Sequence, residues 1–219
     1  KQAWVGRGTY TFDKRYSLEA NFSVTGSEQF AEGHRMGFFP AVGVAWNVSN
    51  EPFFPKEWQN AVSVLKLRAS VGKTGNDLTG GARFLYRSTF GTGTGYNIGI
   101  GTTGSNNGVG SSIIEGRFEA PILSWELELK RNFGIELTLL NGKISLQADY
   151  FDNERSNILL QRKTVSGVAG LRQAPWQNFG VVSNKGIDGN LNVAHKVGNF
   201  DLSLMGTFTF ARIKILEYD

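Results

Sequence analysis

The chain has 219 residues, a formal net charge of +4 and no cysteine, which excludes disulfide bonds and cysteine-ligated metal sites. Its two histidines, His34 and His195, have no metal-binding spacing, and no basic cluster with interleaved aromatic residues indicates nucleic-acid binding. No run of about 18 apolar residues is present, which excludes a transmembrane helix. We therefore expect neither a metal nor a cofactor.

Apolar and polar residues alternate along eight segments of the chain. A period of two is typical of β-strands, whose successive side chains point to opposite faces. In the last segment, from Phe200 to Phe210, large apolar residues occupy nearly every second position. Such strands are longer than the roughly five or six residues usual in soluble sheets, and long enough to cross a bilayer at a tilt. The predicted strands span residues 2–12, 15–25, 37–49, 61–72, 125–140, 143–155, 184–197 and 200–212.

The connections between the predicted strands alternate in length. Very short turns follow the first, fifth and seventh strands, and Asn141-Gly142 is the strongest hairpin signal because a type I′ turn requires two positive φ angles. A moderate connection with a short helical turn (50–60) follows the third strand, and longer loops follow the second, fourth and sixth. Within the longest loop, residues 83–90 are predicted to form a hairpin arm. Short turns on one rim and long loops on the other are typical of outer-membrane barrels, with the short turns facing the periplasm.

The two faces of the predicted strands differ in chemistry. One face is apolar, with aromatic residues concentrated near the strand ends, as in the interfacial girdles of membrane barrels. These aromatic residues are Trp4, Tyr10, Phe12, Tyr16, Trp46, Trp125 and Phe210. The other face carries ionic residues suited to a wet lumen, and the lumen-facing candidates are Glu19, Lys66, Arg68, Glu126 and Glu128. We predict an all-β fold, an antiparallel transmembrane β-barrel wall, with a soluble β-sandwich as the alternative from the pattern alone.

Several motifs, in a fixed order along almost the full chain, resemble the SusC/RagA family of TonB-dependent outer-membrane transporters. The segments that carry the resemblance are HRMGFFPA (34–41), SNEPF (49–53), LRASVGKTGN (67–76), WE (125–126), GIE (134–136), DYF (149–151), RSNIL (155–159) and NKGID (184–188). Thr25, where the family usually has Asp, and Ala41, where Ser is common, depart from the pattern. Neither departure affects the inference of transport.

The resemblance implies that residues 1–219 are part of the barrel domain of a longer protein. Family barrels have about 22 strands, of which this chain would supply about eight, and a plug domain fills the barrel, although this chain contains no plug-like segment. The implied function is active import of bulky nutrients, glycan fragments or peptides, across the outer membrane of a Gram-negative bacterium. The implied partners are a SusD-like surface lipoprotein and the TonB–ExbB–ExbD complex, which acts through the plug. The family commonly forms dimers of transporter–lipoprotein pairs.

Loop residues are the candidates for contact with the substrate or the lipoprotein. Aromatic rings stack on sugars, and planar polar groups form hydrogen bonds with them, so we select Tyr96, Asn97, Arg172, Trp176 and Asn178 in the predicted extracellular loops. Glu126 and Glu128 are interpreted as lining a solvated lumen, because no general-acid environment is visible around them. With neither a nucleophile–base pair nor a metal cluster, we do not expect an enzyme. Two other functions stay open: a small passive eight-stranded barrel that serves as an anchor or adhesin, and a soluble glycan-binding sandwich.

Overall fold

The computed structural model describes residues 1–93, 112–170 and 173–218, in which the regular structure is mostly β-strand. The described parts of the connections contain three 3-10 helices: Val48–Asn50, Lys56–Asn60 and Gly167–Ala169. In the described parts of the chain, no helix combines the length and the apolar character needed to cross a membrane. The strands are β1 (Gln2–Phe12), β2 (Tyr16–Gly26), β3 (Met36–Asn47), β4 (Val62–Asn76), β5 (Phe90–Gly93), β6 (Ser112–Glu115), β7 (Glu126–Leu139), β8 (Ile144–Gln161), β9 (Trp176–Val197) and β10 (Phe200–Glu217).

Eight of the strands form one antiparallel sheet in the order β1-β2-β3-β4-β7-β8-β9-β10, and β5 pairs with β6 separately. All eight predicted strands are therefore confirmed. Within residues 1–93, 112–170 and 173–218, β1 and β10 are the two edges of the sheet and do not pair with each other. A closed eight-stranded barrel would need that pairing, and a sandwich would need two large facing sheets, so neither alternative describes this fold.

The predicted short turns are confirmed. Asp13 and Lys14, between β1 and β2, have φ angles of 49° and 54°, and Asn141 and Gly142, between β7 and β8, have 56° and 89°. Positive φ at both central positions matches the turn to the right-handed twist of the flanking strands. The hairpin arm predicted at 83–90 is wrong, because the arm pairs Phe90–Gly93 with Ser112–Glu115, and residues 83–89 form a turn and irregular backbone. The glycines at alternate positions of β5 give its sequence little strand character.

Strands β8 and β9 are longer than the sequence pattern predicts. β8 continues to Gln161 and β9 begins at Trp176, so the predicted loop over residues 156–183 shortens to 162–175. The reason is a register shift between Arg155 and Ile158 in the pairing of β8 with β9, where Asn157 has a φ of 54°. A bulge reverses the alternation of faces, so a constant period of two cannot be followed through it.

The buried apolar core lies at one end of the sheet, among the long connections. We call it the rim cluster; it comprises Phe30, Leu85, Ala120, Leu123 and Trp125. The placement of Trp125 in an interfacial girdle is wrong, because its ring is only 5% exposed and lies 5.4 Å from Phe30 and 5.1 Å from Phe39. A sheet with two solvated or lipid-facing surfaces has no interior of its own, so the loops form the core.

At the opposite end of the sheet, Glu51 joins three segments. Its carboxylate accepts hydrogen bonds from Trp46 Nε1 (2.8 Å) and Arg15 (3.2 Å), and its side chain is only 5% exposed. The hydrogen bond from Tyr16, followed by those from Trp46 and Arg15, lowers the pKa of Glu51 below its ordinary value. Glu51 therefore fastens the connection between β3 and β4 to the start of β2.

We expect this connection to loosen in acid. A depressed folded-state pKa gives stability that is present above the unfolded pKa of about 4.3 and lost as the pH falls through the folded value. Glu51→Gln should mimic that loss at neutral pH, because a neutral amide cannot replace the charge opposite Arg15. Hydrogen–deuterium exchange of residues 48–61 in the full-length protein should rise in Glu51→Gln and not in Glu57→Gln, an exposed control on the same connection. Equal exchange in both variants would contradict the assignment.

Candidate functional site

One face of the sheet is polar and carries all five predicted lumen-facing residues. Cross-strand register places Glu19 beside Gly43, Lys66 beside Glu136 and Glu128 beside Arg155, and alternation along β4 and β7 puts the rest on the same side. Glu19 accepts a hydrogen bond from Arg7 at 2.8 Å on neighbouring β1. Each of these five charged side chains has a partner of opposite charge on a neighbouring strand, in a pair or in a larger network.

One ionic network crosses three strands at mid-sheet. Arg68 Nη2 on β4 lies 2.9 and 3.0 Å from the two Asp149 carboxylate oxygens on β8, and Arg68 Nε lies 3.2 Å from Glu136 on β7. Lys66 pairs with the same Glu136 at 3.4 Å. Gly134, on β7 between Arg68 and Asp149, makes this contact possible. An added Cβ there would overlap Asp149 Oδ1 and lie 3.0 Å from the guanidinium of Arg68.

A second network lies nearer the long connections. Arg155 on β8 lies 3.4 Å from Glu126 and 3.5 Å from Glu128, and Lys130 lies 3.7 Å from Glu128. The two carboxylates thus share the guanidinium of Arg155, and together with Lys130 the two cations balance the charge of the two carboxylates. The arrangement suits a hydrated ionic lining and offers no isolated carboxyl that could act as a general acid.

An aromatic side chain, which the sequence reasoning missed, interrupts the polar face. Phe151 on β8 lies between Asn132 on β7 and Gly186 on β9, where a side chain at position 186 would overlap its ring. The surrounding depression of about 480 Å³ is otherwise polar, and its lining includes Lys130, Asn132, Asn153, Asn184, Asp188 and Thr209. The Oδ1 atoms of Asn132 and Asn184 have no hydrogen-bond partner among the described residues. The signal was present, since Phe151 occupies a polar-face position in the alternation of β8.

The five predicted contact residues have different outcomes. Tyr96, Asn97 and Arg172 lie outside the described residues. Trp176 and Asn178 were expected in a loop, but both belong to β9, because β9 starts eight residues before the predicted strand. Trp176 packs against the rim cluster, and the Asn178 amide donates to the backbone oxygens of Ser124 (3.1 Å) and Asn157 (2.8 Å). The structure thus gives Asn178 a role in tying β8 and β9 to the preceding connection.

The connection that follows β4 is held by a charged contact. Asp77 accepts hydrogen bonds from Lys1 and Ser27, both at 2.7 Å. Partial burial opposes ionisation of Asp77, but the hydrogen bonds from Lys1 and Ser27 and the charge of Lys1 outweigh it, so the pKa of this carboxyl lies below its ordinary value. The start of β1 therefore meets the starts of the connections that follow β2 and β4, at the end of the sheet where the long connections lie.

An eight-stranded sheet with one ionic face and one apolar face, joined by tight turns at one end, is the geometry of a barrel wall. The family model described as TonB dependent receptor-like, beta-barrel, matches residues 2–219. The chain belongs to the TonB-dependent receptor β-barrel family. This family resides in the outer membrane, and its members are receptors and transporters. The match confirms the predicted barrel-wall fold, and the relatives described next, SusC among them, confirm the predicted resemblance to the SusC/RagA family.

The relatives are much longer than the chain. TonB-dependent receptor P26 of Formosa agariphila is 28% identical over 217 residues, which are 98% of this chain and 20% of the relative. TonB-dependent receptor SusC of Bacteroides thetaiotaomicron is 27% identical over 205 residues, which are 92% of this chain and 19% of the relative. The chain thus spans about a fifth of the length of these curated relatives.

Solved structures show the same fold. The RagAB peptide transporter superposes with a TM-score of 0.80 at 21% identity, over 97% of this chain and 22% of that one. The siderophore receptor PirA from Pseudomonas aeruginosa gives 0.58 at 17% identity, over 97% and 34%. At these identities the likeness concerns the fold alone. The eight strands form a segment of the wall of a larger barrel.

Proposed function

We propose that the receptor containing this wall imports bulky nutrients, glycan fragments or peptides, across the outer membrane. The observation that carries the proposal is the difference in chemistry between the two faces of the sheet. Apolar rows cover one side, and cross-strand ion pairs centred on Arg68 and Glu136 cover the other, as a wall between lipid and an aqueous interior requires. The relatives named TonB-dependent receptor, SusC among them, and the fold shared with the RagAB peptide transporter support a role in uptake.

The proposed partners follow from the family. A SusD-like lipoprotein closes the barrel from outside, the TonB–ExbB–ExbD complex supplies energy through a plug that lies outside this chain, and two transporter–lipoprotein pairs form the assembly. Likeness to SusC and to RagAB supports the lipoprotein. Extraction of the full-length receptor from its native membrane, with identification of the co-purifying chains, tests this composition.

Energised uptake is the direct test of function. Cells with and without the full-length receptor gene are given fluorescent pools of oligosaccharides and of oligopeptides, in the presence and absence of a protonophore. We expect deletion and protonophore each to abolish accumulation of one pool, because import against a gradient needs the proton-motive force. Accumulation that persists with the protonophore would indicate a passive pore, and unchanged accumulation of both pools after deletion would reject import of these classes.

Phe151 provides a test within the chain. We expect Phe151→Ala to lower the uptake rate about fivefold, since the loss of one aromatic contact costs about 1 kcal/mol. The expectation assumes that this ring, set among amide groups, contacts the cargo or the plug. Tyr150→Ala is the matched control, because Tyr150 is the adjacent residue in β8 and faces the opposite, apolar side. A reduction of the same size in both variants, measured at equal receptor levels, would show a general effect on the wall.

A further inference from the structure

The depression around Phe151 on the polar face is built mainly by the inner strands of the sheet. Its volume of about 480 Å³ lies within the range of about 300–1,000 Å³ that is usual for small-molecule sites. Strands β7, β8 and β9 are each paired on both sides, so a further strand beside β10 would not be adjacent to any of them. The polar side chains that these three strands place closest to the argument are Asn132, Asn153, Asn184 and Asp188.

The ring of Phe151 leans over the backbone of β9. Gly186 is the opposite residue on β9, and a Cβ added there would lie 2.6 Å from the ring atom Cζ. The ring therefore covers a position without a side chain, and because it is only half-buried, part of its surface faces the lumen. The face of an aromatic ring carries partial negative charge, so it attracts the weakly positive C–H groups of a ligand.

The polar groups beside the ring are not used by the wall. The Oδ1 atoms of Asn132 and Asn184 are buried without a hydrogen-bond partner among the described residues. The side chains of Asn153 and Asp188 make no hydrogen bond or ion pair within the described parts of the chain. An amide that turns by 180° exchanges its oxygen and its nitrogen, so each asparagine can offer a donor or an acceptor. This suits a ligand with hydroxyl groups, which donate and accept hydrogen bonds.

The basic side chain at the depression is already engaged inside the wall. Lys130 lies 3.7 Å from Glu128, so the terminal carboxylate of a peptide would have to compete with Glu128 for this cation. Asp188, by contrast, is a carboxylate without an ion pair among the described residues, and it accepts hydrogen bonds from hydroxyl groups. The depression thus offers a ring, amides and one carboxylate, a set that recognises neutral polar ligands.

We propose that the depression around Phe151 binds a neutral sugar ring, and that the cargo of the receptor is an oligosaccharide and not a peptide. The proposal rests on the proposed import function and names the cargo class of that function. The C–H face of the sugar stacks on Phe151, its hydroxyl groups donate to Asp188, and the three asparagine amides exchange hydrogen bonds with the remaining hydroxyl groups. One aromatic contact with a few convergent polar groups fixes both the position and the orientation of such a ligand.

The test measures cargo binding to the purified full-length receptor. The receptor is incubated with a mixture of neutral oligosaccharides from partially hydrolysed plant, algal and fungal polysaccharides, and separately with a mixture of oligopeptides, and retained ligands are identified by native mass spectrometry. We expect the wild type to retain members of the oligosaccharide mixture and no peptide. Phe151→Leu keeps an apolar side chain but removes the ring, and it should lower retention about fivefold, the effect of losing a stacking contact of about 1 kcal/mol.

A matched pair of variants on β9 tests the amide contacts. Asn184→Ala should lower retention, whereas Asn190→Ala should not, because Asn190 lies on the same face of β9 but outside the depression. Heat-modifiable electrophoretic migration verifies that each barrel is assembled. Equal retention by the wild type, Phe151→Leu and Asn184→Ala would overturn the proposal, as would retention of peptides in place of oligosaccharides.

The same receptor preparation also detects the other possible occupant of the depression, the plug. If the plug covers Phe151, the wild type retains no oligosaccharide through this site, and Phe151→Leu raises hydrogen–deuterium exchange in the plug without changing sugar retention. That result would overturn the proposal.

Binding is measured without an energised membrane, so its outcome is separate from that of import. A receptor that accumulates the peptide pool would keep its import function and refute the sugar site. A receptor that retains oligosaccharides but accumulates neither pool would keep the sugar site and refute import.

Discussion

Replacing Trp125 with alanine is expected to release the long connections while leaving the strands paired. The Trp125 ring packs on Phe30 and Phe39, and its Nε1 donates to the backbone oxygen of Arg35 at 3.1 Å. Removing a buried aromatic ring of this kind costs about 3–5 kcal/mol. Since the rim cluster has five buried members among the described residues, we expect most of this cost to appear as local opening.

Hydrogen–deuterium exchange of the full-length receptor would measure that opening. Exchange should rise in residues 27–35, 77–90 and 116–125, while the mid-strand amides of β7 and β8 keep their protection. Trp58→Ala is the matched control, because Trp58 is 59% exposed on the connection at the opposite end of the sheet. Equal protection of the three segments in the wild type and Trp125→Ala would show that the cluster does not hold them.

The second large effect is expected at Gly134. A Gly→Ala change inside a strand ordinarily stabilises by about 0.5–1 kcal/mol, but here the new methyl group would displace the Asp149 carboxylate from Arg68. Loss of that ion-paired hydrogen bond leaves a poorly solvated carboxylate, 11% exposed, at a cost of about 1–3 kcal/mol. We therefore expect Gly134→Ala to destabilise the folded receptor.

Chemical denaturation of the refolded full-length receptor gives the comparison. Gly43→Ala is the control on the same face, because its added Cβ would meet Ser70 at an ordinary 3.6 Å. The denaturation midpoint should fall for Gly134→Ala and stay level or rise for Gly43→Ala. If Gly134→Ala no longer lowers the midpoint in a receptor that already carries Asp149→Ala, the displaced ion pair is the source of the effect. An increase in the midpoint for Gly134→Ala would contradict the account of this network.

Local pattern was sufficient for the strands and turns. Each of the eight wall strands alternates faces strongly enough to be located, and Asn141-Gly142 satisfies the steric demand of its turn. The pattern failed where the backbone departs from a constant period, as at the bulge near Asn157. For this reason Trp176 and Asn178 were predicted to lie in a loop, although both belong to β9. The hydrogen bonds and packing of these two residues involve partners distant in the sequence, and such contacts cannot be predicted from the local alternation of apolar and polar residues.

The sequence was enough to predict which residues lie on the polar face, but not which of them form ion pairs with each other. Alternation assigns Arg68 and Glu136 to one side, yet the contact between Arg68 and Asp149 depends on the register of three strands and on the absence of a side chain at Gly134. The rim cluster was missed for a related reason. Phe30, Leu85 and Leu123 lie in segments without periodicity, and only the fold brings them together.

The connections are short at one end of the sheet and long at the other, and this difference sets the order in which parts of the receptor fold. In the predicted orientation, with the tight turns facing the periplasm, the segments that contain Phe30, Leu85 and Trp125 must pass to the far side of the bilayer as the strands insert. Partners from these two connections, between β2 and β3 and between β4 and β7, can meet only after that passage. The rim cluster is therefore a late product of assembly, formed after membrane insertion, and a Trp125→Ala receptor should insert at the normal rate yet never gain a protease-resistant outer rim.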